Sequence, residues 1–369
     1  MRILHINTNY LGTTLHQTMI EHLDDLGVES SVFVSVCKTD KAVIKPNSNV
    51  CVSCCYNNID RYIFALKQFK IKHSIEKCFD VSSFDCIHAY TLFTDGNSAM
   101  ELAKKYKKPF VVAVRNTDVN VFFSKMFYLR NRGVKIMRAA KKIFFLSEAY
   151  RKQVFEKYVP QKYHDELYAK TMVIPNGIDD FWFNNPPAKA KREIHNPVRL
   201  IYAGKIDKNK NIPTIQKAMK ILEDKGMEAS LTVIGKIVDQ CEFEKIKNDS
   251  RVTYLQALPK EKLIEQYRNH DIFVMPSFTE SFGLVYAEAI SQGLPVVYSK
   301  GQGFDGQFEE GVVGYHCDAN QVEDVEECIR RIVKVNLSPA CDLAKKFSWN
   351  FIVREYKKIY CSVKVIDAM

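Results

Sequence analysis

The chain has 369 residues, 46% hydrophobic, 26% charged and 12% aromatic; the length implies two domains, and the composition excludes a disordered, collagenous or low-complexity protein. No apolar run approaches the roughly eighteen residues of a membrane-spanning helix, and MRILHIN is too short for a signal-peptide core, so a cytoplasmic protein is expected. The net charge of +10 is concentrated between residues 101 and 160, where 15 basic side chains face 4 acidic ones; with no helix-turn-helix, zinc, RRM or arginine-rich signature beside it, nucleic acid gives way to an anionic acceptor or an anionic membrane surface.

In chain order, strands are expected at Arg2 to Ile6, Ser31 to Val36, Cys86 to His88, Phe110 to Val114, Lys142 to Leu146 and Met172 to Ile174. They are separated by helices at Leu15 to Leu26, Tyr62 to Glu76, Ser98 to Tyr106 and Ala149 to Lys157. The proline-rich stretch Asn184 to Pro197 reads as a linker. A second series follows, with strands Val198 to Ala203, Ser230 to Ile234, Val252 to Leu255, Ile272 to Met275 and Pro295 to Tyr298. Its helices are Ile212 to Lys225, Cys241 to Lys247, Lys260 to Asn269, Leu284 to Gln292 and Gln321 to Val335. The fold class is therefore α/β: two Rossmann-like domains facing each other across a cleft, with ligands beyond the carboxyl ends of the strands. The expected division is 1–180, a linker 181–197, 198–345, and a helix over 346–369 that returns to the first domain. The eleven scattered cysteines, including Cys51, Cys54 and Cys55, read as thiols rather than as a disulfide framework or a zinc site.

Three constellations carry chemistry. PSFTESFGLVYAEAISQGLP, from Pro276 to Pro295, is a strand end, a polar loop and a helix opened by Gly283, so free amides and the helix dipole make an anion seat. Glu280 in the loop and Glu288 two turns into the helix are placed to accept hydrogen bonds from a polyhydroxylated ligand. In AGKIDKNKN, from Ala203 to Asn211, Lys205 and Lys210 can each meet a phosphate of a diphosphate. In the first domain, a strand delivers Arg115, Asn116, Thr117 and Asp118 to its carboxyl end. The loop Asn7 to Thr14 has a single glycine, Gly12, a poor dinucleotide fingerprint. His16 and His88 read as structural. No D-x-D pair offers a metal site on a diphosphate, so no metal is expected.

These residues resemble the GT-B glycosyltransferases of family 4, retaining enzymes that use nucleotide sugars. FDCIH (Phe84 to His88) with Gly96 and Pro109 is similar to the family's first-domain pattern, and IPNGID (Ile174 to Asp179) to its hinge-proximal motif. AGKIDKNKN is similar to its Gly, Arg/Lys and Lys loop, Glu280 to Glu288 to its E-x7-E signature, and FSW (Phe347 to Trp349) to the start of its C-terminal helix. The resemblance implies that Gly204, Lys205 and Lys210 bind the donor diphosphate, that Glu280 contacts the donor sugar and Glu288 the ribose, and that the backbone of Phe282, Gly283 and Leu284 holds phosphate. Catalytic roles then fall to Glu280, Lys205, Lys210, Asp118 and Arg115, with Gly12, Thr13 and Asn116 on the acceptor side. The sequence departs from the family pattern at Arg115, where many members have His, at Gly12-Thr13-Thr14 in place of paired glycines, and at Gly235-Lys236-Ile237, which lacks a second glycine.

The function expected is transfer of a sugar from a nucleotide-diphosphate sugar, a UDP-sugar being favoured, to a glycan or lipid-linked acceptor in cell-surface polysaccharide biosynthesis. The mechanism expected is retaining and metal-independent, with no cofactor beyond the co-substrate. The basic span, where Lys104, Lys105, Lys107, Lys108, Lys125, Arg130, Arg132 and Arg138 surround Phe122, Phe123, Phe127 and Tyr128, suits peripheral attachment to anionic lipid. The alternatives are a nucleotide-sugar epimerase of the same fold and a non-catalytic nucleotide-sugar binder.

Overall fold

The computed structural model describes residues 1–39, 49–187, 193–337 and 340–366. The chain divides into two units: Met1–Leu146 with Tyr150–Gly177 and the segment from Trp349 onward, and Ser147–Ala149 with Ile178–Ser348.

In the first unit seven strands form one parallel sheet: β1 (Arg2–Ile6), β2 (Glu29–Cys37), β3 (Val50–Tyr56), β4 (Cys86–Ala89), β5 (Phe110–Val114), β6 (Lys142–Phe145) and β7 (Thr171–Val173), in the order β3-β2-β1-β4-β5-β6-β7. The connecting helices are α1 (Leu15–Asp25), α2 (Phe64–Cys78), α3 (Thr94–Tyr106), α4 (Arg130–Ala139), α5 (Glu148–Tyr158) and α6 (His164–Tyr168). Because helices cover both faces, β5 is apolar throughout, and all five of its residues are buried. Alternation along β1 sends Leu4 and Ile6 to one face with α2 and α3, and Ile3 to the other. On that second face Met19 and Leu23 of α1 pack with Ile352, Val353, Tyr356 and Tyr360 of the C-terminal helix Trp349–Ile366.

Three elements of this unit escape the sequence reading: β3, α4 and the five-residue α6. β3, VCVSCCY, offers cysteines and serines where strands usually show branched apolar residues, yet Cys51 and Cys55 pack against the core, and Cys51 is joined to Cys78 in a disulfide. The expectation of thiols throughout is corrected at that pair. α4, RNRGVKIMRA, looks like a charged loop with a glycine; its Val134, Ile136 and Met137 are buried, and a Cβ on Gly133 would lie 2.7 Å from the Phe93 ring, so glycine is required by packing. The basic span also resolves into separate jobs. Phe123 is buried and Phe122 stacks on Phe93, whereas Phe127 and Tyr128 stay exposed. Lys105 pairs with Glu76, Arg132 with Glu101 and Arg138 with Glu166.

The second unit repeats the scheme with β8 (Val198–Ala203), β9 (Ala229–Ile234), β10 (Val252–Leu255), β11 (Ile272–Met275), β12 (Val296–Ser299) and β13 (Gly314–Cys317), ordered β10-β9-β8-β11-β12-β13. Its helices are α7 (Phe181–Asn184), α8 (Ile212–Asp224), α9 (Gln240–Glu244), α10 (Lys260–Arg268), α11 (Leu284–Ser291) and α12 (Val322–Val335). α7 lies where the linker is expected: Trp182 is buried, and its carbonyl accepts from Gln292 Nε2 at 3.0 Å. Residues 188–192 of that expected linker lie outside the described residues. In each sheet the strand order reverses once, between β1 and β4 and between β8 and β11. Loops leaving the carboxyl ends of those four strands border the crevices where open α/β sheets bind ligands.

Candidate active site

In the second unit the two loops that leave the reversal point are fastened to each other. Asn209 is the clasp: its carbonyl accepts from Phe278 N (2.9 Å), its Nδ2 donates to the Thr279 carbonyl (2.8 Å), and its Oδ1 accepts from Thr279 N (3.0 Å). Next to it Lys210 Nζ meets Glu280 Oε2 at 2.5 Å, with both side chains largely buried. Asp207 caps the turn by accepting from Lys210 N, and Asn211 Nδ2 donates to the carbonyls of Pro276 and Ala319. The charged pair therefore sits on a braced platform. Lys205 differs: its carbonyl accepts from Tyr202 Oη at 2.6 Å, while its side chain is exposed and its ammonium makes no ion pair among the described residues.

Gly283 adopts φ +77° at the start of α11, and a Cβ there would fall 2.5 Å from the Tyr286 ring. Only glycine turns the chain into the helix at this point. Among the described residues, the amides of Phe282, Gly283 and Leu284 donate to no group of the chain, so an N-terminus with its partial positive charge opens outward. The Phe282 ring is buried against Phe304 and Phe347, and its amide is left open at the head of α11. A third loop supports the platform from beneath: Gln302 Oε1 accepts from Glu280 N, and Gly303 N donates to the Glu280 carbonyl, both at 3.0 Å. Gly303 passes so close that a Cβ would lie 1.9 Å from the Ser281 carbonyl oxygen.

Glu288 sits about one turn into α11, nearer than the two turns expected, among Tyr286, Ala287, Ala289 and Ile290, all buried. Burial raises its carboxyl to about 7, with the Asp179 charge adding to the effect. Its carboxylate has no hydrogen bond or ion pair among the described residues, and the residue keeps some solvent contact. A desolvated carboxylate left without a donor in the protein is an acceptor waiting for hydroxyls.

The first unit treats its polar residues differently. Asp118 is fully buried, and its carboxylate accepts from the amides of Leu92 (2.9 Å), Phe93 (3.2 Å) and Arg115 (2.9 Å). Burial pushes it up to about 6 despite those three donors. It clamps the β4 and β5 strand-end loops together, the work of a positioning residue. Arg115 Nη1 donates to Asn176 Oδ1 at 3.0 Å, and Asn116 Nδ2 to Tyr150 Oη at 3.0 Å. Gly12 and Thr13 are exposed, and Thr13 Oγ1 accepts from Leu15 N. His5, His16 and His88 lie buried around Tyr90; burial holds His5 and His16 down at about 3 and His88 well below its ordinary value, so all three rings are neutral. His88 Nδ1 is 2.6 Å from Tyr360 Oη of the C-terminal helix, in keeping with a structural role.

Asn209, Gln302 and Gly303 are absent from the sequence-derived site. Asn209 lies inside the KNKN run and was legible only as a loop polar residue; Gln302 and Gly303 come from the segment after β12, which carries no recognisable pattern.

Two parallel α/β units with these strand-end loops define a GT-B glycosyltransferase. Residues 13–180 match the family described as Glycosyltransferase Family 4, and residues 185–350 that described as Glycosyl transferases group 1. The chain belongs to the family 4 glycosyltransferases. It is 31% identical to the sulfoquinovosyl transferase of Arabidopsis thaliana over 136 residues, 36% of this chain and 25% of the plant enzyme's length. Against the glycogen synthase of Mycobacterium tuberculosis it is 23% identical over 301 residues, 76% of this chain and 69% of that one. The crystal structure of Anabaena HepE in complex with UDP superposes with a TM-score of 0.70 at 14% identity, covering 98% of this chain and all of that one, which shows the shared fold. No helix among the described residues is long and apolar enough to cross a membrane.

Proposed function

We propose that the protein moves a sugar from a nucleotide-diphosphate sugar, a UDP-sugar first, to a glycan or lipid-linked acceptor, with retention at the anomeric carbon and without a metal ion. The observation that carries this reading is the platform of the second unit: the Lys210–Glu280 pair, the open amides of Phe282 to Leu284 and the unpartnered Glu288, all within two adjoining loops and one helix. Lys205 and Lys210 with those amides take the charge that builds on the leaving diphosphate, the task a metal ion performs in other designs. Glu280 accepts from the donor sugar's hydroxyls and Glu288 from the ribose. A related fold holds UDP in HepE, which supports the choice of nucleotide.

With Asp118 committed to three amides, no group in the first unit is assigned as a nucleophile, and a front-face attack assisted by the leaving phosphate accounts for retention. Arg115, tied to Asn176, orients the loop that faces the acceptor, and Asn116, Gly12 and Thr13 border it. Cell-surface polysaccharide synthesis at the cytoplasmic face of a membrane is the setting we assign, with Lys104, Lys107, Lys125, Phe127 and Tyr128 as the exposed contact and the half-buried Lys108 beside them. Incubation with a panel of nucleotide sugars, with and without EDTA, and analysis of products tests the reading. A new α- or β-glycoside of the donor's own configuration supports it. An isomerised donor, tight binding with no turnover, or activity that vanishes in EDTA and returns with magnesium refutes it.

A further inference from the structure

The first unit contains a cavity of about 400 Å³ between α2, α3 and the turn that leads into α4. Its walls are Phe64, Phe69 and Leu129, and its polar side is made by Gln68, Lys72, Asn97 and the Arg132–Glu101 pair. None of the residues assigned above to donor or acceptor lines it.

Gln68 is the telling member. It is 5% exposed, and its Oε1 accepts from Asn97 Nδ2 at 3.2 Å and Ser98 Oγ at 2.9 Å, which fixes the side-chain amide in one orientation. Its Nε2 is buried with no hydrogen-bond partner. A buried donor held in place without an acceptor is costly unless a ligand or water completes it. Lys72 beside it makes no ion pair among the described residues, and Arg132 uses Nε on Asn97 and Nη2 on Glu101, which leaves Nη1 outside both bonds. The polar side thus offers the Gln68 donor, the Lys72 cation and the outer Nη1 of Arg132, whose charge is balanced by Glu101. In the chain beside these wall residues, Tyr62 and Ile63 before α2 and Leu66 and Phe69 within it are exposed, Tyr62 by 89% and Phe69 by 68%; Phe127 and Tyr128, just before Leu129, are exposed as well. Soluble proteins seldom leave so many large apolar side chains together in water.

We infer that this cavity binds one anionic phospholipid of a bilayer, its acyl chain against Phe64, Phe69 and Leu129 and its acidic headgroup accepting from Gln68, Lys72 and Arg132. Inorganic phosphate would satisfy the donors and leave the apolar walls and rim in water. A neutral alkyl chain would fill the walls and leave the Gln68 amide unmatched. A single amphiphile with an acidic head answers both. The site adds a specific lipid pocket to the diffuse surface attachment proposed above, and it stands whatever sugar is transferred.

The test uses the whole protein in two arms. The first is flotation with phosphatidylcholine vesicles, with and without phosphatidylglycerol; the second is thermal shift with dodecyl phosphate below its micellar concentration, beside inorganic phosphate. Flotation is expected only with phosphatidylglycerol, and a rise in melting temperature only with dodecyl phosphate. Ala65→Trp, which plugs the cavity from an exposed wall position without touching a charge, and Lys72→Glu should each weaken both signals by about tenfold or more. Lys220→Glu, an exposed cation of α8 in the second unit, should keep both signals, and turnover on a water-soluble acceptor should be unchanged in all three variants. The inference is overturned if Ala65→Trp floats like the wild type, if inorganic phosphate protects as well as dodecyl phosphate, if Lys220→Glu is as damaging as Lys72→Glu, or if neither arm shows binding, the result a protein partner would give.

Discussion

The two units place polar residues at the same topological position, the carboxyl ends of strands beside a reversal of strand order, and use them in opposite ways. In the second unit Asn209, Asn211 and Gln302 brace the loops, while the Glu288 carboxylate, the Lys205 ammonium and the amides at the head of α11 stay without partners among the described residues. In the first unit the most conspicuous polar side chain, Asp118, is itself the brace, and the histidines are buried and neutral. A charged residue at a strand end is functional when something else holds its loop. Where the carboxylate itself ties two loops together, as Asp118 does through three amides, its acceptor capacity is already used.

The largest effect that would sharpen this contrast is expected at the lysines. Losing a cation that stabilises developing charge typically lowers the rate by on the order of 100- to 1000-fold, and both Lys205→Ala and Lys210→Ala should fall in that range. Their stabilities should part company. Lys205 is exposed and unpaired, so its loss should leave the melting temperature in place; Lys210 neutralises the largely buried Glu280, so Lys210→Ala strands a carboxylate and should melt earlier. Initial rates and melting curves for both variants check this, and full activity in either would remove it from the site. Glu280→Gln should likewise lose turnover while retaining affinity for the bare nucleoside diphosphate, measured by calorimetry.

For Asp118 the contrast demands the reverse pattern. An Asn in its place keeps one good acceptor for three amides, and orphaned buried donors cost about 1–3 kcal/mol each, so Asp118→Asn should lower stability by roughly that amount. Turnover per folded molecule should fall much less than in the lysine variants, read as kcat at a temperature well below the melting point. A kcat loss of the lysine size without a stability loss would make Asp118 a catalytic residue after all.

The sequence was informative wherever a pattern repeats. Strands such as Phe110–Val114 and Ile272–Met275 are continuous apolar runs because helices cover both faces, and they are found at the residues expected. What escaped were elements whose apolar contribution is carried by unusual residues: the cysteines of β3, the glycine-centred α4, and β13, four residues containing Gly314 and His316. For the site, residue type and loop position pointed to Lys210, Glu280 and Glu288. That Asp118 is consumed by three backbone amides depends on where Leu92 and Phe93 fall in space, and no local spacing encodes it. The cavity beside Gln68 was hidden for the same reason, since α2, α3 and the turn before α4 meet only in the folded unit.

A smaller and pH-dependent effect belongs to Glu288. Its folded-state value of about 7 lies above the ordinary 4.5, so between those values the folded protein binds more protons than the unfolded chain; this group favours folding most below about 4.5, and that contribution is lost as pH rises through 7. Glu288→Gln, neutral at every pH, should therefore match the wild type in stability near pH 4.5 and exceed it at pH 8 by on the order of 1–3 kcal/mol. Ligand binding should run the other way. Ribose hydroxyls donate to the ionised form, so wild-type affinity for UDP should strengthen from pH 6 to pH 8 while that of the variant stays flat, and a flat wild-type profile would place the ribose elsewhere.

The smallest effect distinguishes the two kinds of polar residue within the first unit itself. Asn116 gives its Nδ2 to Tyr150 Oη, a neutral hydrogen bond worth about 0.5–1.5 kcal/mol, and no bond to its Oδ1 is made among the described residues. The half that braces and the half that is free thus sit on one side chain. Asn116→Ala removes both, so it should cost a small drop in melting temperature and, if the free carbonyl oxygen accepts from an acceptor hydroxyl, a severalfold rise in the acceptor KM with kcat nearly unchanged. Thr13→Val serves as the comparison, since Thr13 Oγ1 already accepts from Leu15 N and its residue is exposed; it should lose little stability and leave the acceptor KM within about twofold, the scatter of one weak contact. A KM shift in Thr13→Val and none in Asn116→Ala would move the acceptor contact from the β5 loop to the loop after β1.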